Sequence, residues 1–139
     1  MRRQIALWLI VIAIAAATFP WDWQGHPHWG KVAWVPFSTG IVRPVDLLLN
    51  VALYFPLGFL LPSKSTRSRF ATALVAALLL STLLELTQVW SHLRFPSATD
   101  IVMNVLGSLI GAFGASWLEA AKQSAPEGRA SPDPDIMSA

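Results

Sequence analysis

The sequence contains no cysteine and few charged residues: only 13% of its 139 residues are Asp, Glu, Lys or Arg. The missing thiols exclude disulfides, thiolate-bound metals and a cysteine nucleophile. A soluble domain carries roughly 25% charged residues, so this chain has too little polar surface to cover a water-soluble globule of its size. The net charge is only +2, and no basic stripe with interleaved aromatic residues is present, so no nucleic-acid partner is expected.

Long apolar segments take the place of the missing charge, since 54% of the residues are hydrophobic and the mean hydropathy is +0.51. Four such segments predict helices at about 4–20, 45–62, 70–90 and 100–119. The last two have the roughly 20 residues that a bilayer core requires, whereas the first two need flanking residues to reach that length. The sequence therefore predicts an all-α membrane protein in which residues 1–120 form a small bundle of four transmembrane helices.

The distribution of Lys and Arg predicts the orientation of this bundle. With the N-terminus inside, the inner side holds Arg2, Arg3, Lys64, Arg67, Arg69, Lys122 and Arg129, and the outer side holds Lys31, Arg43 and Arg94. Cytoplasmic loops carry the excess of basic residues, so we expect a multi-pass protein of the cell membrane with both termini in the cytoplasm. Residues 121–139 are rich in Pro, Ser and Ala without periodicity, which predicts a disordered cytoplasmic tail.

The first segment has a second interpretation. The letters MRRQ, the apolar run and AIAAAT also fit a signal peptide with a small-residue cleavage site. The sequence leaves open whether the first helix is cleaved.

Polar residues near the apolar segments gather at the predicted outer side, and the inner halves of the helices are almost wholly apolar. An Asp at the start of the second and fourth segments is followed four residues later by Asn, which places each pair on one helix face, with the Asn about 6 Å deeper. Glu and Gln share a face near the end of the third segment, and an Arg follows in the outer loop. The predicted cluster consists of Asp46, Asn50, Glu85, Gln88, Arg94, Asp100 and Asn104.

Glu85 points most strongly to function. A carboxylate inside an apolar helix costs a few kcal/mol unless it is paired, protonated or in a watery cavity, and Arg94 is its expected ionic partner. The other members have simpler alternatives: Asp46 and Asp100 could be helix N-caps, and the two Asn residues could only join neighbouring helices.

A metal site is weakly indicated. His26 and His28 stand two residues apart beside Asp22, which is a poor ligand set for zinc. No metal or other cofactor is therefore expected.

Small residues and a proline predict how the helices pack. Gly107 and Gly111 have the spacing that permits two helices to approach closely, and Pro56 with Gly58 predicts a kink in the second helix. Both pairs are interpreted as structural.

The second and fourth segments also resemble each other, because DLLLNV and DIVMNV match at Asp, Asn and Val. The match is either a duplicated two-helix hairpin, forming a parallel repeat about the membrane normal, or convergence on the same helix start.

Four motifs follow one another over about residues 34–112: VPFSTG, DLLLNVALYFPLGFLLP, LLELTQ and ATDIVMNVLGSLIGA, with Arg94 just before the last. In this order they resemble the VanZ-like family of membrane proteins. The founder of that family is associated with low-level resistance to the lipoglycopeptide teicoplanin, and no enzymatic activity is established for the family as a whole. By resemblance the motif positions are Asp46, Asn50, Pro56, Gly58, Glu85, Gln88, Arg94, Asp100, Asn104 and Gly107.

The resemblance and the polar cluster together predict a protein of the cell envelope that binds or modulates an amphiphile, such as a cell-wall lipid precursor or a lipoglycopeptide, at an outward-facing site. Membrane lipids and a lipid-linked cell-wall precursor are the expected partners. One alternative is an intramembrane enzyme that uses Glu85 or an Asp as general base on a lipid-linked substrate. The other is a structural bundle in which the polar residues only join helices. Binding is favoured over catalysis, since it needs only fixed donors and acceptors.

Overall fold

Four helices build the part of the chain that the structure, a computed structural model, describes: residues 1–38 and 43–124. They are α1 (Arg2–Thr18), α2 (Pro44–Leu60), α3 (Thr66–Thr87) and α4 (Ala98–Ser124). Short 3-10 turns occupy Trp29–Lys31 and Gln88–Trp90. Within the described ranges there is no β-strand, only an isolated bridge between Ala33 and Ser97. The predicted all-α class and the four predicted helices are confirmed.

The helix boundaries differ slightly from the prediction. α3 begins earlier because Ser65 and Ser68 form a capping box, in which each side chain bonds the backbone N–H of the other. α4 continues to Ser124, five residues beyond its predicted end. The first residues of the predicted tail are therefore helical, and residues 125–139 lie outside the described part of the chain.

α2 and α4 are the most closely packed pair of helices, and they run parallel. The backbone of α4 at Gly107 lies against Val51, and one turn further on Gly111 lies against Phe55. Gly58 of α2 in turn lies against the backbone of Ser108. A Cβ atom at any of these glycines would overlap the facing backbone. Gly107 and Gly111 thus lie where the sequence predicted close helix approach, and Gly58, which was predicted to kink α2, lies in the same contact. α2 continues through Pro56 to Leu60.

The starts of α1 and α3 and the ends of α2 and α4 meet at one end of the bundle, which we call the basic end. Arg3 donates from Nε and Nη2 to the carbonyl oxygens of Leu60 and Leu61, each over 3.0 Å. Arg69 of α3 pairs with Glu119 of α4 at 2.7 Å, although its side chain is only 3% exposed. Arg69, which the sequence analysis placed before the third apolar segment, thus lies inside the first turn of α3 and is buried.

The exterior of the bundle is apolar on all four helices, which is the reverse of a soluble protein's surface. Exposed large side chains include Trp8 and Ile12 on α1, Leu48 on α2, Leu79 and Leu83 on α3, and Phe113 and Trp117 on α4. Two segments, Thr66–Trp90 and Ala98–Ser124, are long and apolar enough to cross a membrane, and α2 is apolar but has only 17 residues.

Candidate functional site

An open cavity of about 640 Å³ lies at the end of the bundle opposite the basic end, where α2 and α4 begin and α3 finishes. We call this the cavity end. Six of the seven residues predicted to cluster line the cavity: Asp46, Asn50, Glu85, Gln88, Arg94 and Asp100. Arg43, just before α2, lines it as well. The structure thus brings these six side chains around one space, and the seventh, Asn104, lies deeper.

The floor of the cavity is formed by one residue from each of three helices. Asn50 of α2 donates from Nδ2 to Oδ1 of Asp100 on α4, over 2.7 Å. Glu85 of α3 is 6% exposed, and its Oε2 accepts a 2.8 Å hydrogen bond from the backbone N–H of Ser97. We call Asn50, Glu85 and Asp100 the upper polar layer.

Ser97 can reach Glu85 because the segment before α4 is held in place by the first loop. Ala33 donates its N–H to the carbonyl of Pro96 and accepts from the N–H of Ala98, each over 2.9 Å. This short bridge presents the N–H of Ser97 to the end of α3. A backbone donor of this kind carries no signature in the sequence.

The expected ion pair between Arg94 and Glu85 is not formed. Within the described residues the only ion pair shorter than 4.0 Å joins Arg69 and Glu119. Glu85 takes its hydrogen bond from Ser97 instead, while the side chain of Arg94 is exposed at the rim of the cavity. The backbone N–H of Arg94 donates to Oγ of Ser91, which fixes the backbone at this position but does not hold the guanidinium.

The N-cap alternative fails for Asp46. The residue in the N-cap position of α2 is Arg43, and Asp46 lies one turn inside, with an exposed carboxylate. Asp100 likewise lies inside the first turn of α4, and its carboxylate bonds Asn50 of another helix. Negative charge in the first turn of a helix is still favoured by the helix dipole. Both acids are thus placed at helix starts that tolerate them, with oxygens available to the cavity.

Gln88 joins α3 to α1. It is 5% exposed, and its Nε2 donates to the carbonyl oxygen of Thr18 over 3.2 Å. This bond closes one side of the cavity, so Gln88 forms part of the wall as well as a link between helix ends.

Asn104 belongs to a second polar layer, one turn closer to the basic end. Its Nδ2 donates to Oγ of Ser81 over 2.8 Å, and its Oδ1 is buried without a partner among the described residues. Tyr54 of α2 is fully buried at the same depth, four residues after Asn50, with its hydroxyl also unpartnered there. We call Tyr54, Ser81 and Asn104 the lower polar layer. The sequence reading missed Tyr54 and Ser81, although each lies four residues from a predicted site residue on the same helix face.

Asp22, considered in the sequence only as a weak metal ligand, organises the rim of the cavity. Its carboxylate accepts hydrogen bonds from Oγ of Ser91 and from the backbone N–H groups of His92 and Leu93, over 2.8, 2.6 and 2.8 Å. Partial burial acts to raise the pKa of Asp22, but these hydrogen bonds outweigh it and hold the pKa below its usual value. Asp22 therefore fixes the turn that carries Arg94.

A smaller apolar cavity of about 80 Å³ shares Glu85 and Ser97 with the large one and lies beneath Trp29 and Trp34 of the first loop. Aromatic residues pack this loop onto the end of α3, where Trp23 and Trp90 stack with ring centroids 5.4 Å apart. Glu85 thus stands between a polar cavity and an apolar one.

These features define a class: an all-helical protein with an apolar exterior, two helices able to cross a membrane, and a polar cavity at one end. The VanZ/LLP1 family model matches residues 5–119, so the chain belongs to the VanZ-like family of membrane proteins. The resemblance in the sequence motifs is confirmed. No curated protein and no solved structure matches the chain significantly.

Proposed function

We propose that this protein is a multi-pass membrane protein with four spans that binds an amphiphile of the cell envelope in the polar cavity. The observation that carries the proposal is the cavity itself: about 640 Å³ lined by acids, amides and arginines, at the end of a bundle whose outside is apolar. Ligand pockets are commonly 300–1,000 Å³ in volume with a few placed polar groups, and this cavity falls within that range.

An amphiphile suits the cavity because of where the cavity lies relative to the apolar surface. A lipid-anchored molecule moves in the plane of the bilayer, and its polar group reaches the level at which the apolar helices end. A lipid-linked cell-wall precursor meets this description, and so does a lipoglycopeptide, to which the family resemblance points. Glu85 would contact the polar group, and the apolar cavity beyond it could take a small apolar portion.

The distribution of basic residues supports a cavity that opens outward. The basic end carries Arg2, Arg3, Lys64, Arg67, Arg69 and Lys122, and the cavity end carries Lys31, Arg43 and Arg94. The positive-inside rule then places the basic end and both termini in the cytoplasm and residues 21–44 outside. Reporter fusions after Ser65 and after Ala139 should both report cytoplasm. An external Ser65 would contradict this topology.

Binding is tested by comparing Glu85→Gln with Glu85→Ala in the purified protein, with lipid binding as the readout. Gln keeps the shape of Glu85 and can still accept from the N–H of Ser97, whereas Ala leaves that donor unpaired. For a binding site we expect Glu85→Gln to retain part of the affinity and Glu85→Ala to lose most of it. Glu119→Gln removes the same charge at the basic end and should leave the affinity unchanged.

One observation supports the enzyme alternative: Glu85 lines the cavity, and its Oε1 has no hydrogen bond to any described residue. A general base needs such a free oxygen within reach of the proton it removes. If Glu85→Gln binds lipid as tightly as the wild type but abolishes a turnover that the wild type shows, catalysis replaces binding as the function. If both Glu85 variants change only thermal stability, the polar residues serve to join helices.

A further inference from the structure

We infer that the cavity accepts a zwitterionic headgroup, with a protonated primary amine at the floor and a phosphate group at the rim. This inference rests on the proposed function, because it names the chemistry of the ligand for the same cavity. It follows from the order of charges with depth.

The floor offers hydrogen-bond acceptors that lack donors. Glu85 uses only Oε2, and Asp100 uses only Oδ1, so Oε1 of the first and Oδ2 of the second have no donor among the described residues. Asp46, which is exposed one turn before Asn50 on α2, adds a third carboxylate to the lining. Neither free oxygen is among the buried atoms that lack a partner, so both remain accessible and can accept a hydrogen bond from a ligand. A primary ammonium has three N–H donors and no acceptor, so it can donate to the free oxygens of Glu85 and Asp100, with one N–H left for Asp46.

The rim offers the opposite chemistry. Arg43 and Arg94 line the cavity, and both are exposed, whereas Asp100 is half-buried and Glu85 is buried. The guanidinium group binds phosphate through two parallel hydrogen bonds. Because Asp22 fixes the turn from Ser91 to Leu93, the backbone of Arg94 is held next to the cavity mouth.

Other headgroup charges fit this arrangement less well. A purely anionic group would leave Glu85 and Asp100 without a donor and repel them, and a purely cationic group would leave the two arginines unused. A quaternary ammonium has charge but no N–H to donate.

The inference is tested with short-chain phospholipids that share the same acyl chains and differ only in headgroup. The probes are phosphatidylethanolamine, phosphatidylcholine and phosphatidylglycerol, titrated against the full-length protein in detergent, with dissociation constants from native mass spectrometry. We expect phosphatidylethanolamine to bind about tenfold more tightly than the other two, the ratio that corresponds to roughly 1.4 kcal/mol. Free phosphoethanolamine shows whether the ligand is a free headgroup compound or a membrane lipid. If it competes with phosphatidylethanolamine, the headgroup alone is sufficient for binding. If phosphatidylethanolamine is preferred but free phosphoethanolamine does not compete, the site binds a membrane lipid.

Two variants distinguish the contribution of the amine to binding from that of the phosphate. Asp46→Asn should abolish the preference for the primary amine, and because Asp46 is exposed and its side chain bonds no described residue, this variant is expected to fold. Arg94→Ala should weaken all three phospholipids by a similar factor. Equal affinity of wild-type protein for the three headgroups, with binding still lost in Glu85→Ala, would overturn the inference and leave the proposed function intact. If no amphiphile binds at all, both fail.

Discussion

The side-chain amide of Asn50 donates a 2.7 Å hydrogen bond to the carboxylate of Asp100, and this bond joins the second turn of α2 to the first turn of α4 at the floor of the cavity. The amide thus satisfies one oxygen of the acid and leaves the other to the cavity. The same contact is expected to affect both the stability of the fold and ligand binding. The first effect is measured by thermal unfolding and the second by lipid binding.

Asn50→Ala is expected to lower the free energy of unfolding by about 1–3 kcal/mol, because the half-buried carboxylate of Asp100 loses its donor. Thermal unfolding in detergent measures the effect. Leu48→Ala is a control on the same helix, since Leu48 is 67% exposed on the outside of the bundle. Equal melting temperatures for the two variants would show that the hydrogen bond contributes nothing to stability.

Because α2 and α4 approach closely, we expect two glycines of α4 to tolerate no side chain and a third glycine of the same helix to tolerate one. Gly107→Ala and Gly111→Ala each place a methyl group into the backbone of α2, and we expect them to destabilise the protein by about 1–3 kcal/mol or to prevent folding. Gly114→Ala is the matched control, because its new Cβ would lie 3.8 Å from the nearest ring atoms of Phe55 and Phe59. Yield and melting temperature should fall for the first two variants only. Similar behaviour of all three would contradict the packing described here.

Arg94→Ala is expected to leave the melting temperature nearly unchanged. The side chain of Arg94 is exposed and forms no ion pair with a described residue, and substitutions of this kind usually change stability by less than about 0.5 kcal/mol. The backbone bond to Ser91 survives the change. A large loss of stability, recovered by adding Glu85→Gln, would show that the two residues pair in the membrane after all.

Because Asp22 holds the turn at the rim of the cavity, we expect the structure of this rim to be lost in acid. The pKa of Asp22 is lowered in the folded state, so its hydrogen bonds contribute stability above the usual value of 3.8, and the contribution is lost as the pH falls through the lower folded value. The stacked rings of Trp23 and Trp90 give a near-UV circular dichroism signal for this loop. We expect the wild type to lose that signal only below pH 3.8, and Asp22→Ala to have lost it already at neutral pH. Asp46→Asn, an acid removed outside the loop, should keep the wild-type transition; if Asp22→Ala keeps it too, Asp22 does not organise the rim.

The local pattern of the sequence determined the helices and the depth of the polar residues. Hydrophobic runs of sufficient length fix where helices form, and the spacing of four residues places Asp46 with Asn50, and Asp100 with Asn104, on one face of each helix. Composition indicated a membrane protein, in agreement with the family to which the chain belongs. The family resemblance came from the same motifs, since they occur in a fixed order along the chain.

Only the tertiary structure decided which partner each polar side chain has. Glu85 bonds the N–H of Ser97 rather than Arg94, and Asn104 bonds Ser81, because the rotation of each helix about its axis is set by packing against helices distant in sequence. The glycines of α4 permit its backbone to pack directly against α2, and this contact brings Asn50 within hydrogen-bonding distance of Asp100. Periodicity gives the face of a helix that is polar, whereas the neighbour that this face meets depends on the summed packing of all four helices.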